Sequence, residues 1–185
     1  TAPMPILQKG GRLWRGIERR DPPAGWGANF TAGMMSAPVG ADLLKADSWT
    51  MTNFMPSRRD WNGGDMEAWL EGNAVETPEN DLGLILRVHT AGMKEQAAFL
   101  QVDQLEQKLS FSPATGIVSM PGGAKKFTIR REGKKGAYWT LATFSPLIEG
   151  RSYPASFRNR LCLLRSDDLR SWEVNRVLLE HPDHV

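Results

Sequence analysis

The chain has 185 residues, of which 24% are charged and 41% hydrophobic, and its formal net charge at pH 7 is +2. This is the composition of a folded globular protein, and it excludes a disordered chain. The basic runs Arg19-Arg20, Lys125-Lys126 and Lys134-Lys135 are short and scattered, so they read as solvated strand ends or turns and no nucleic-acid partner is expected.

In chain order, Pro5 to Gln8 reads as a short strand and Lys9-Gly10-Gly11 as its turn. From Leu13 to Arg19 the residues alternate, with Leu13, Arg15, Ile17 and Arg19 on one face and Trp14, Gly16 and Glu18 on the other. Asp21 to Gly27 is a Pro/Gly loop, Phe30 to Ser36 a third strand, Ala41 to Leu44 a candidate helical turn, and Trp49 to Phe54 an outer strand. After a loop from Pro56 to Met66, strands are expected at Trp69 to Val75, Leu82 to His89, Ala97 to Val102 and Lys108 to Phe111, with a turn or short helix at Asp103 to Gln107. A third set follows at Phe127 to Arg131, Ala137 to Phe144, Arg160 to Arg165 and Trp172 to Leu179, with a long loop holding Pro146, Gly150 and Pro154. No stretch approaches the ~20 apolar residues that span a bilayer. Cys162 is the only cysteine, which rules out an internal disulfide, and its neighbours Leu161, Leu163 and Leu164 read it as a buried thiol.

The three sets share one plan, an all-β unit of roughly 40 to 60 residues, which is the signature of β-propeller blades. The expected blades cover about 4–56, 67–113 and 125–181 of a single partial domain spanning 1–185. Propellers typically carry about four to eight blades, so three do not close a ring. Two arrangements follow: a portion of a five- or six-bladed propeller, or a homodimer whose two copies complete one ring.

Chemistry-bearing residues concentrate near the start of the second unit. Glu71 opens an inner-type strand and precedes Gly72, whose missing side chain admits a close backbone or ligand. Asp65 lies on a glycine-flanked loop at the head of the same strand. Two carboxyl groups held about 5 to 10 Å apart are what glycoside hydrolysis requires. The structural alternative is that Asp65 caps a turn and Glu71 pairs with an arginine to hold its loop. Arg15, Arg87 and Arg158 come from different units near strand ends and could converge on an anionic or polyhydroxy sugar, although exposed surface arginine is the default for each. Glu18, Asn73, Lys126 and Asn159 are further rim candidates. Trp26 and Trp61 lie in polar loops, where they either stack on sugar rings or plug the loop against the body.

Two motifs carry a family resemblance. Ser166-Asp167-Asp168-Leu169-Arg170-Ser171-Trp172, loosely repeated by Ala41-Asp42-Leu43-Leu44 before Trp49, resembles the Asp-containing turns of sialidase-like glycosidases, with Arg170 and Ser171 in place of the strict motif's Gly and Thr. Its role is structural: Asp caps a turn and Trp packs between blades. The run from Trp61 to Val75 with Leu84 to Val88, together with Arg19 to Pro23 and Pro121 to Phe127, resembles a group of bacterial sialidase-like propellers known as exo-sialidases or glycosyl hydrolases. The resemblance implies hydrolysis of terminal sugars, an extracytoplasmic setting, and arginines that hold a sugar carboxylate. It also implies a tyrosine nucleophile from a late blade, whereas this chain has only Tyr138 and Tyr153.

No phosphate loop, nucleophile elbow or dinucleotide fingerprint is present, and His181 and His184 lack a nearby third ligand, so no metal or cofactor is expected. The sequence reading is a glycoside hydrolase, or a portion of one, with Glu71 and Asp65 catalytic and Arg15, Glu18, Trp61, Asn73, Arg87, Lys126 and Arg158 binding a carbohydrate. A non-catalytic glycan-binding propeller and a protein-interaction scaffold are the alternatives.

Overall fold

Alternating side chains and tight glycine turns build the first sheet. Gly10 and Gly11 both have positive φ (59° and 73°), as a two-residue hairpin turn requires, and they join β1 (Ile6–Lys9) to β2 (Arg12–Arg20). β3 (Phe30–Pro38) and β4 (Thr50–Met51) follow in the order β1-β2-β3-β4. The computed structural model describes residues 4–20, 30–92, 94–144 and 157–182, so the expected loops at Asp21 to Gly27 and around Gly150, with Trp26 and Tyr153, lie outside the described residues.

The second sheet has β5 (Met66–Glu76), β6 (Leu82–Thr90), β7 (Gln96–Asp103) and β8 (Lys108–Ser110) in sequence order. A one-turn helix, α1 (Pro113–Gly116), then leads into β9 (Ile117–Ser119), which pairs with the other half of β7. The outer position of this blade is thus filled by two short strands. The blade reaches Ser119, past the boundary near 113 expected from sequence. The third sheet runs β10 (Phe127–Arg131), β11 (Tyr138–Thr143), β12 (Arg160–Ser166) and β13 (Glu173–Glu180). All neighbouring strands within the sheets are antiparallel, and no helix among the described residues is long and apolar enough to cross a membrane.

The core consists of two layers between blades. Trp14 and Met34 of the first sheet pack with Trp69, Leu84, Leu86 and Leu100 of the second. Ile85, Ala97 and Phe99, on the other face of the second sheet, pack with Phe127, Tyr138, Cys162 and Leu164 of the third. β6 is therefore apolar on both faces, which is why Leu84-Ile85-Leu86 shows no polar alternation; each such side chain contributes about 1.5–3 kcal/mol on burial.

The first strands of the three sheets meet along one line. Glu76 of β5 is bridged by Lys9 of β1 at 2.8 Å and by Arg131 of β10 at 3.3 Å, and its carbonyl accepts the Tyr138 hydroxyl at 2.7 Å. Further along β5, Asn73 accepts the Ile129 N–H at 3.1 Å and donates to the Phe127 carbonyl at 3.4 Å. Between the first and second blades the backbones close in: a Cβ added at Gly16 would lie 2.4 Å from the Gly72 carbonyl oxygen. Gly72 thus serves blade-to-blade packing.

An aspartate closes the turn between the third and fourth strands of every blade. Asp42 accepts the Leu44 N–H, Asp103 those of Leu105 and Glu106, and Asp168 those of Arg170 and Ser171. In the first and third blades the tryptophan indole then donates to a leucine carbonyl, Trp49 to Leu43 and Trp172 to Leu169. Neither expected helix forms at Ala41 to Leu44 or Asp103 to Gln107; both are turns.

Candidate functional site

Glu71 sits on a bulge. The register of β5 on β6 shifts between Leu70, opposite Arg87, and Gly72, opposite Leu86, and Glu71 takes up the extra residue with φ of 37°. A non-glycine residue in that region costs of order 1–3 kcal/mol, and such strain clusters at functional sites. The bulge takes the Glu71 N–H out of the ladder, and Glu18 of β2 accepts it at 2.9 Å through Oε2.

The Glu71 carboxylate lies between two cations. Arg87 Nη1 is 3.3 Å from Oε2 and Lys126 Nζ is 3.5 Å from Oε1, so all three blades contribute to this point. Arg87 is buried and Lys126 exposed, giving the group one dry and one wet neighbour. Beside them Lys125, 0% exposed, donates to Oε1 of Glu95, while Oε2 of Glu95 accepts the Ala124 N–H at 3.3 Å. Burial pushes the Lys125 ammonium pKa down; Glu95 opposes this, Arg158 and Arg87 add to it, and the net direction is down. Arg158 is exposed and acts on this cluster only as a positive charge that helps push the Lys125 pKa down.

The site therefore gathers Glu71, Glu18, Arg87 and Lys126 of the residues expected from sequence. Five others go elsewhere. Asp65 lies six residues before Glu71, roughly 20 Å away along an extended strand. Its carboxylate accepts the Gly92 N–H at 2.8 Å and meets Lys94 at 3.1 Å. Burial raises the Asp65 pKa, but these partners and the Ala91 N–H outweigh it and hold the carboxyl below its usual value. This is the capping role, and the fold does not set Asp65 beside Glu71. Arg15 alternates with Trp14 and Gly16, so it lies on the face of β2 away from the second blade. Asn73 is fully buried and committed to β10. Trp61 plugs its loop, 4.9 Å from Phe111 and 5.8 Å from Trp69 between ring centroids. Asn159 donates to the His181 carbonyl.

Sequence reasoning missed Glu95 and Lys125. The Lys125-Lys126 run, expected to be solvated, divides into one buried and one exposed side chain. Pro121-Gly122-Gly123 offers the only hint. A Cβ at Gly123 would lie 2.6 Å from the Gln96 backbone, so these glycines press the loop inward and carry Lys125 with it.

No protein-family model matches the chain, and no curated protein does. Among solved structures it is similar to Zg3597, a family 117 glycoside hydrolase of the marine bacterium Zobellia galactanivorans, with a TM-score of 0.59 and 14% identity over 96% of this chain and 46% of that one. It is also similar to an exo-1,5-alpha-L-arabinanase from a bovine ruminal metagenomic library, with a TM-score of 0.54 and 14% identity over 96% of this chain and 59% of that one. The chain thus spans about half the length of these structures. At this identity the likeness shows the fold alone. The class the fold defines is the all-β propeller, in a form shared with these glycosidases.

Proposed function

We propose that these blades are part of a glycoside hydrolase that binds a terminal sugar at the meeting point of its inner strands and hydrolyses the glycosidic bond. The observation that carries this reading is Glu71, held at positive φ on a bulge with its carboxylate between Arg87 and Lys126. Glu71 is the carboxylate that takes up a proton or attacks. A second carboxyl group is required, and Glu18, fixed to the Glu71 backbone, is better situated than Asp65. Lys126 and Arg158, both exposed, face the sugar. The similarity to proteins named as glycosidases supports the broad class. The sialidase-like sequence motifs support a narrower form, in which the sugar is acidic.

The test is Glu71→Gln in the protein that carries these blades, assayed on a panel of aryl glycosides that includes a sialoside and an α-L-arabinofuranoside. A fall in kcat/KM of about 10²–10⁴-fold with unchanged melting supports the assignment, and undiminished turnover overturns it. Glycan binding with no turnover in the unaltered protein moves the reading to a non-catalytic glycan-binding propeller. The substrate that turns over decides between the broad and the sialidase-like form.

A further inference from the structure

A cavity of about 990 Å³ opens at the other end of the inner strands from Glu71. Its walls are Ile6 and Leu7 of β1, Val75 and Glu76 of β5, Ile129 to Arg131 of β10, and the β10–β11 turn with Lys134 and Lys135. That volume is at the upper end of small-ligand sites, which run about 300–1,000 Å³. Two carboxylates line it, and both are spoken for: Glu76 by Lys9 and Arg131, and Asp167 by Arg165 at 2.6 Å. Arg130, Lys134 and Lys135 are exposed and have no carboxylate partner among the described residues. The cavity thus holds an excess of positive charge over a floor that includes Ile6, 56% exposed, and Pro78.

We propose that this cavity is a second carbohydrate-binding site that takes an acidic oligosaccharide bearing sulfate esters or uronate carboxylates. Guanidinium and ammonium groups pair with such anions through charge-assisted hydrogen bonds, and the apolar floor suits the C–H face of a sugar ring. The concave shape favours a short saccharide over a nucleic acid, which calls for a basic groove with stacking aromatics along a strand. This site is separate from Glu71 and does not depend on hydrolysis there. The Lys134-Lys135 pair, a solvated turn by sequence, becomes one wall of it.

Isothermal titration of the purified chain with four probes tests this: a sulfated galactan tetrasaccharide, a tetragalacturonate, a neutral tetrasaccharide and a single-stranded DNA oligonucleotide. At least one acidic sugar binds, and which one does names the anionic group. The variant carrying Arg130→Ala, Lys134→Ala and Lys135→Ala keeps its melting temperature and weakens that binding by about tenfold or more, the equivalent of one charge-assisted contact. Glu71→Gln leaves it unchanged, so failure here and failure of the hydrolase reading are separable. The proposal is overturned if neither acidic sugar binds, if the triple variant binds as well as the parent, or if the neutral sugar or the oligonucleotide binds as tightly.

Discussion

Glu18 and Glu71 belong to different blades, yet the carboxylate of the first accepts the backbone N–H of the second at 2.9 Å. That bond secures the bulge that aims Glu71, so Glu18 links inter-blade packing to the candidate chemistry. Glu18→Ala leaves a partly buried N–H without its acceptor and is expected to cost about 1–3 kcal/mol. Glu18→Gln keeps an acceptor and costs less. If Glu18 is also the second carboxyl group, both variants lose turnover while only the alanine loses appreciable stability. Urea midpoints read beside kcat separate the two roles; a glutamine variant with full turnover would confine Glu18 to holding the bulge.

Gly16 and Gly72 set the separation of the first two blades. A Cβ at Gly16 meets backbone, 2.4 Å from the Gly72 oxygen, whereas a Cβ at Gly72 meets a methyl of Leu84 at 2.6 Å, which can move. Gly16→Ala is therefore expected to destabilise by about 1–3 kcal/mol, as overpacking does, with Gly72→Ala costing less. Denaturant midpoints at constant slope give the order. Equal costs would mean that the blades part as easily as a leucine rotates.

Much of the fold was legible because its signals are local. The Gly10-Gly11 hairpin, the alternation through β2 and the Asp168 turn each lie within a few adjacent residues, and each formed where the sequence placed it. The site was less legible because it is assembled from side chains far apart in the chain. Nothing local separates Lys125, which turns inward to Glu95, from Lys126, which turns outward to Glu71. Asp65 and Glu71 look adjacent in sequence, but an extended strand moves six residues roughly 20 Å apart. β9 escaped notice because three residues between Pro113 and Pro121 give no readable period, and only pairing with β7 makes them a strand.

The aspartate turns predict a pH dependence. Burial raises the Asp168 pKa, but the N–H groups of Ser171 and Arg170 and the hydroxyls of Ser171 and Ser166 outweigh it, so the folded value lies below the unfolded one. Between those two values the unfolded chain binds more protons. The stabilisation from Asp168 is therefore complete above the unfolded pKa and is lost as pH falls through the folded pKa. Asp168→Asn keeps an acceptor without titrating, so its acid limb of Tm against pH should be shallower. Asp168→Ala at neutral pH removes a cap of about 1 kcal/mol, or about 2–4 °C in Tm for a chain of this size. An unchanged acid limb in Asp168→Asn would show that the turn forms equally with a protonated carboxyl.

Lys125 and Glu95 form the most buried ion pair near the site, and their worth lies in being removed together or not at all. Lys125→Met strands the Glu95 carboxylate with the Ala124 N–H as its remaining partner, an expected cost of about 3–5 kcal/mol. Adding Glu95→Gln removes the stranded charge and keeps an acceptor for that N–H, so the double variant should recover most of the loss; a double-mutant cycle measures the recovery. The linkage has the same sign as that of Asp168 but acts at the alkaline end of the pH axis. Because the folded Lys125 pKa lies below its usual value, the unfolded chain binds more protons between the two, and this group's contribution to stability rises with pH across that window. Lys125→Met removes the rise. Single-variant costs that simply add in the double variant would show that Lys125 and Glu95 are not coupled, and that the Pro121–Lys125 loop is held by its glycines alone.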